Sequence, residues 1–148
     1  MTPIDALIRA QCDYYLDPVT PLLQAWYHAE GGDPHTFIKA IQCTYADCTT
    51  IEEALARGAK TIRSRIIAYV EFCLQGVPLF VLVPREGVDP WTGELNPRVL
   101  RFSDTFIEFL GARIAPVNVA NDPTHLNEHW IPNVKTAYAA LLAEVPHA

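Results

Sequence analysis

No apolar run in this 148-residue sequence is long enough to cross a bilayer. The densest, VPLFVLV at residues 77–83, falls far short of the roughly 20 residues that a transmembrane helix needs. Stable membrane insertion is therefore not expected. No secretory leader is expected either, because MTPIDALIRAQCDYY has no basic segment followed by an uninterrupted apolar stretch. Positive charge is in short supply. Lysine and arginine total 11 against 17 aspartates and glutamates, for a net charge of −6. No nucleic-acid partner is expected from that balance. Internal repeats, low-complexity segments and linkers are absent. The four cysteines, Cys12, Cys43, Cys48 and Cys73, lack zinc-site spacing, and the histidines show no clear ligand spacing. No metal or other cofactor is expected. Four cysteines allow three pairings. Cys43 and Cys48 bracket the loop CTYADC and either close it or stay as thiols.

What is present describes a folded chain. Half of the residues are hydrophobic and 19% are charged, which excludes a disordered protein. The length fits one domain over residues 1–148 with a substantial core. Apolar periodicity makes it mainly α. A first helix is expected over residues 3–15, capped by Thr2, with Ile4, Leu7, Ile8, Cys12 and Tyr15 at helical spacing. A second starts near Thr20-Pro21, stops at Gly31-Gly32, and aligns Leu22, Leu23, Trp26, Ala29 and Glu30. Asp33-Pro34 restarts a short helix carrying Phe37, Ile38 and Ile41. Thr50 with Glu53, or Thr49 with Glu52, forms a capping box for a long helix. Its apolar face holds Ile51, Leu55, Ile62, Ile66, Tyr69, Val70 and Cys73, and it is the expected central helix. Gly58 inside it marks a close approach of another element. Arg57, Lys60, Arg63 and Arg65 form a basic patch on the same helix, read as a solvated face or as a surface facing anions or cell wall.

The second half is richer in proline. PLFVLVP is either a short buried strand or an extended packed segment, and REGVDPWTGELNP is a turn-rich loop or a hairpin. Ser103 caps a helix through Phe106, Phe109 and Leu110 that Gly111 is expected to stop. An irregular stretch leads to a last helix from Trp130 to Ala143, with Val134, Tyr138, Leu141 and Leu142 inward.

Within AWYHAEGGDP, residues 25–34, Glu30 holds an odd place. It follows Trp26 by four residues and Leu22 by eight, so it is in register with the apolar stripe. It also stands at a helix C-terminus, where the macrodipole disfavours negative charge. Desolvation acts the same way. Both effects raise its pKa and favour a neutral acid able to protonate a leaving-group oxygen. The two glycines stop the helix without bulk and leave room for a substrate. The plainer alternative is a half-exposed glutamate before an ordinary glycine cap.

LLQAWYHAEGGDP resembles the catalytic-helix end of the lysozyme-like superfamily, which includes goose-type lysozymes, lytic transglycosylases and phage lysins. There a glutamate closes an apolar helix and Ser-Gly or Gly-Gly follows. FIEFLGARIAPVNVANDPTHLNEHWIPNV is similar to a segment of phage and prophage members. The matching positions are Phe106, Phe109, Leu110, Ala115, Pro116, Asn121, Asp122, Pro123, Leu126, Asn127, Trp130, Asn133 and Val134. EALARGAKTIRSRIIAY resembles the long helix that follows the active-site region. Together these stretches cover most of the chain in the right order.

The resemblance implies an α+β lysozyme-like fold, a helical domain around a long central helix with at most a small β-hairpin. It implies a peptidoglycan-degrading glycosidase (a lysozyme or muramidase) that cleaves the β-1,4 glycan strand with Glu30 as general acid. A carboxyl against a tryptophan in an apolar pocket is the arrangement of the lysozyme acid. Hydrolysis by the usual routes needs a second carboxylate, and the candidates are Asp47 and Asp33. Asp33 precedes Pro34 and also reads as a helix cap; Asp47 either lines the cleft or sits in a loop. With no second carboxylate, the resemblance implies lytic transglycosylase chemistry, in which one glutamate is acid and then base and a sugar hydroxyl closes an anhydro ring. Substrate contacts are expected from Trp26, Asp33, Thr44, Tyr45, Trp91, Asn121, Asn127, Trp130 and Asn133, although each aromatic also reads as core packing. Asn121-Asp122-Pro123 is equally an ordinary turn. A phage lysin implies synthesis in a host cytoplasm without a signal peptide, action on the wall after release or from a virion, and a monomer. The competing readings are a non-catalytic virion or wall-binding protein of the same fold, and an unrelated helical interaction domain.

Overall fold

In a computed structural model, residues 4, 7–8, 18–72, 76–84, 87–88, 93–95, 98–117, 120, 122 and 124–143 are described. The fold is mainly α with one small antiparallel β-hairpin. The elements are α1 (Val19–Ala29), α2 (Pro34–Gln42), α3 (Ile51–Glu71), β1 (Phe80–Pro84), β2 (Arg98–Phe102), α4 (Asp104–Ile114), a 3-10 turn (Leu126–His129) and α5 (Trp130–Ala143). Most of the helix expected at residues 3–15 lies outside the described residues, but Ile4, Leu7 and Ile8 are helical and Ile8 is buried. Cys12, Cys73, Trp91 and Asn121 also lie outside them.

Three of the helices start at a side chain that satisfies an orphan backbone donor. Asp33 accepts from the Thr36 N–H at 3.1 Å ahead of α2. Thr50, not Thr49, caps α3, accepting from the Glu53 N–H at 3.1 Å while its hydroxyl donates to the Glu53 carboxylate at 3.0 Å. Ser103 accepts from the Phe106 N–H at 3.1 Å ahead of α4.

Burial divides the helices unequally. α3 buries one face through Ala54, Leu55, Ala59, Ile62 and Tyr69. Its C-terminal end departs from the expected stripe, because Val70 is 60% exposed. The helix enclosed on most sides is α1, with Val19, Thr20, Leu22, Leu23, Ala25, Trp26 and Tyr27 all buried. It packs most extensively against α5 and also against α3.

Gly58 is where α1 meets α3. A Cβ there would lie 2.9 Å from Leu23 Cδ1 and 3.3 Å from Trp26 Cζ3. Gly111 plays the same part between α4 and α5, and this corrects an expectation. It does not end α4, which runs on to Ile114. Instead it is buried, and a Cβ there would collide with Ile131 Cγ1 and lie 3.1 Å from Trp130 Cε3. A glycine can terminate a helix or admit a neighbour, and sequence alone does not separate the two.

The ambiguous PLFVLVP segment is β1, paired with β2 from Phe80↔Phe102 to Pro84↔Arg98. It is half-buried rather than enclosed, and a Val88↔Leu95 bridge extends the hairpin into the turn-rich loop. Phe80, Phe102, Phe106, Tyr69 and Phe109 form a chain of ring contacts that fastens the hairpin to α3 and α4. The Phe102 N–H donates to the Tyr138 hydroxyl at 3.0 Å, tying β2 to α5.

Candidate active site

The end of α1 is fixed by backbone geometry. Glu30 is the C-cap, and its N–H donates to the Trp26 carbonyl at 3.1 Å. The Gly31 N–H donates to His28 O at 3.0 Å and the Gly32 N–H to Tyr27 O at 3.1 Å. That pair of bonds is a Schellman motif, which requires a left-handed residue after the cap. Gly31 has φ 107° and Gly32 φ 67°. The Tyr27 hydroxyl locks the turn by donating to Gly32 O at 2.9 Å. The glycines thus hold Glu30 at one position. A Cβ on Gly31 would meet nothing within 4 Å, so the space beside it is open.

Glu30 is half-buried among aromatic rings. Burial raises its pKa above the usual 4.5, and the nearby indoles of Trp26 and Trp130 partly oppose the rise. The two rings meet edge to face, with centroids 6.0 Å apart at 75°. Trp26 is 3% exposed and Trp130 7%. Neither indole N–H makes a full hydrogen bond among the described residues, although both are buried. They lie close enough to the carboxyl to favour its anion, in contacts of imperfect geometry.

Asp122 helps to bring Trp130 here. The buried Asp122 carboxylate accepts from the Leu126 and Asn127 N–H groups, both at 3.0 Å, and shapes the 3-10 turn that runs into α5. Asn127 donates from Nδ2 to Pro116 O at 2.8 Å. Its amide anchors a loop and is not directed to a ligand by that bond. Asn133 is exposed on α5, three residues beyond Trp130.

The two candidate second carboxylates are occupied elsewhere. Asp33 accepts from both the Thr36 N–H and the Thr36 hydroxyl, which lowers its pKa. Asp47 accepts from Arg57 at 3.0 Å with its side chain 73% exposed, and Arg57 also lies over the Tyr45 ring at 4.7 Å. Among the described residues, the side chains that shift Glu30's acidity are the two indoles; neither aspartate is one of them. The geometry gives no support to Asp47 as a partner of Glu30.

Thr44 and Tyr45 lie somewhere else of interest. With Trp26 they line a cavity of about 250 Å³, together with Ala40, Ile41, Thr61, Ser64, Arg65, Arg113 and Ile114. Glu30 is not in that lining, but Trp26 borders both places. Arg65 was visible in sequence only as part of a basic patch. Arg113 gave no signal at all, because only the packing of α4 against α3 brings it to the cavity. Cys43 and Cys48 are both free thiols, the first exposed and the second buried, so the CTYADC loop is not closed by a disulfide. No helix among the described residues is long and apolar enough to cross a membrane. Comparison with family models, curated proteins and solved structures finds no match to this chain.

Proposed function

We propose that the protein is a lysozyme-like enzyme that cleaves the β-1,4 glycan strand of peptidoglycan, with Glu30 as general acid. The observation that carries this reading is the state of Glu30: a carboxyl fixed at a helix end, partly desolvated, raised in pKa and walled by two tryptophans. Such a group holds its proton at a pH where an ordinary carboxyl has lost it. It delivers that proton to the glycosidic oxygen as the bond to the sugar's anomeric carbon breaks. Trp26 and Trp130 present N–H donors to the carboxylate left behind and stabilise it. In keeping with the resemblance, the protein is a monomeric phage lysin that meets the wall after release or from a virion.

Two routes complete the reaction. In hydrolysis a water attacks the anomeric carbon and a carboxylate takes its proton. In the transglycosylase route the sugar's own 6-hydroxyl attacks, and Glu30 takes that proton back. The engagement of Asp47 by Arg57 and of Asp33 by Thr36 favours the second. The test is the loss of turbidity of purified cell walls with wild type and Glu30→Gln. We expect lysis by the wild type and a loss of at least about a hundredfold in the variant. Equal lysis by both would sink the role given to Glu30. Mass spectrometry separates the routes, because an anhydro product is one water lighter than a hydrolytic one.

A further inference from the structure

We propose that the cavity between α2, α3 and α4 is a subsite for a carboxylate borne on the glycan, gripped by Arg65 and Arg113. The inference rests on the glycan-cleaving reading for the identity of the ligand, and on the cavity itself for its charge.

Two arginines from different helices line one small space. Neither has an acidic partner among the described residues. Arg57 and Arg101, by contrast, are paired with Asp47 at 3.0 Å and Asp104 at 2.7 Å. Arg65 and Arg113 meet at one cavity whose lining, among the described residues, holds no aspartate or glutamate. Like charges facing a common space repel each other, and an anion between them reverses the sign of that interaction. Arginine is also the side chain whose fork of donors matches a carboxylate. Arg65 is held in place by lying over the Phe109 ring at 5.0 Å. Thr44, Tyr45 and Ser64, each bearing a hydroxyl, belong to the same lining.

Size and position narrow the ligand. At about 250 Å³ the cavity is smaller than pockets that enclose a drug-sized molecule, so it takes a substituent and not a length of glycan strand. Trp26 forms one wall and also stands beside the Glu30 carboxyl. A group seated in the cavity is therefore one indole away from the acid. In peptidoglycan the carboxylates are carried on the lactyl-peptide arm of alternate sugars, and a cavity of this volume admits one such carboxylate and the residue that bears it. A neutral polymer of N-acetylglucosamine has none. The cavity would thus make the enzyme select substituted strands.

The test is isothermal titration in a Glu30→Gln background, where ligand is not consumed. The probes are a muramyl-peptide glycan fragment, the same fragment with its carboxylates amidated, an N-acetylglucosamine oligomer of equal length, and inorganic phosphate. We expect the acidic fragment to bind about tenfold tighter than the amidated fragment or the neutral oligomer. Arg113→Gln, at an exposed position where folding is not at stake, should remove most of that preference and leave the neutral oligomer unaffected. Arg113→Lys should restore part of it, and Arg65→Gln should act like Arg113→Gln if its melting curve is normal. Equal binding of acidic and neutral ligands, no binding of the acidic fragment, or indifference to Arg113→Gln would overturn the proposal. So would phosphate that displaces the fragment at matching concentration, which would mark a site for free inorganic anions. Because binding is read without the Glu30 carboxyl, these failures are distinct from a failure of the wild type to cleave.

Discussion

Glu30 carries opposing demands at the scale of a single residue. Its burial gives it the proton a general acid needs, and that same burial makes its anion costly to the fold. The folded-state pKa is raised above the ordinary 4.5, so the folded protein holds this proton more tightly than the unfolded chain. The contribution of Glu30 to stability is thus fully present below the unfolded value. It is lost as pH rises from there through the raised folded value. Calorimetry at about pH 4 and about pH 7 should show Glu30→Gln gaining in melting temperature relative to wild type at the higher pH. A pH-independent difference would mean that the carboxyl is solvated like any other. Trp130→Phe makes a second prediction. It removes an N–H that favours the anion, so the Glu30 pKa, followed by carbon-13 NMR, should rise further; an unchanged value would separate Trp130 from the site. The register of Glu30 with Trp26 was legible in the sequence, as was the pair of glycines. The second indole was not, because 104 residues separate Trp26 from Trp130 and only the docking of α5 on α1 joins them.

At the scale of elements, two glycines set how closely helices approach the site. Gly58 lets α1 lie on α3 against Trp26, and Gly111 lets α5 lie on α4 against Trp130. Gly111→Ala should therefore cost about 1–3 kcal/mol despite alanine's better helix propensity. It should also lower activity by displacing Trp130, read from urea melts and wall-lysis rates together. A neutral or stabilising effect would show that α5 gives way freely. Ser103→Ala should cost about 1 kcal/mol through the lost cap of α4. Helix starts were legible because caps are local chemistry: Asp33, Thr50 and Ser103 all sit where their side chains can reach the next turn. The end of α4 was misread at Gly111 because its reason is Ile131, twenty residues away. The half-buried β1 was ambiguous because its partner strand is distant and its outward Leu82 is 60% exposed. An apolar residue on the open face hides the alternation that marks a strand.

Across the whole molecule, the chain gathers one acidic group among two tryptophans, and around a neighbouring cavity two arginines with no acidic partner among the described residues. It leaves the other candidate carboxylates at the surface. Asp47→Asn should accordingly leave cell-wall lysis within about twofold of wild type and stability within about 0.5 kcal/mol, as for exposed ion pairs. A collapse of activity would restore Asp47 to the chemistry. The fold class could be read from periodicity, yet the pairing of the Glu30 pocket with an arginine-lined cavity could not, because it is made by helices that are separate in sequence. The proposal that Glu30 cleaves the glycan as a protonated acid is tested most directly by the pH dependence of kcat/KM on soluble glycan strands, set beside the NMR titration of the Glu30 carboxyl in the free protein. The prediction is a loss of rate with rising pH whose midpoint coincides with that titration, above 4.5, and its absence in Glu30→Gln. A rate that stays level while Glu30 loses its proton, or cleavage by Glu30→Gln at the wild-type rate, would contradict it.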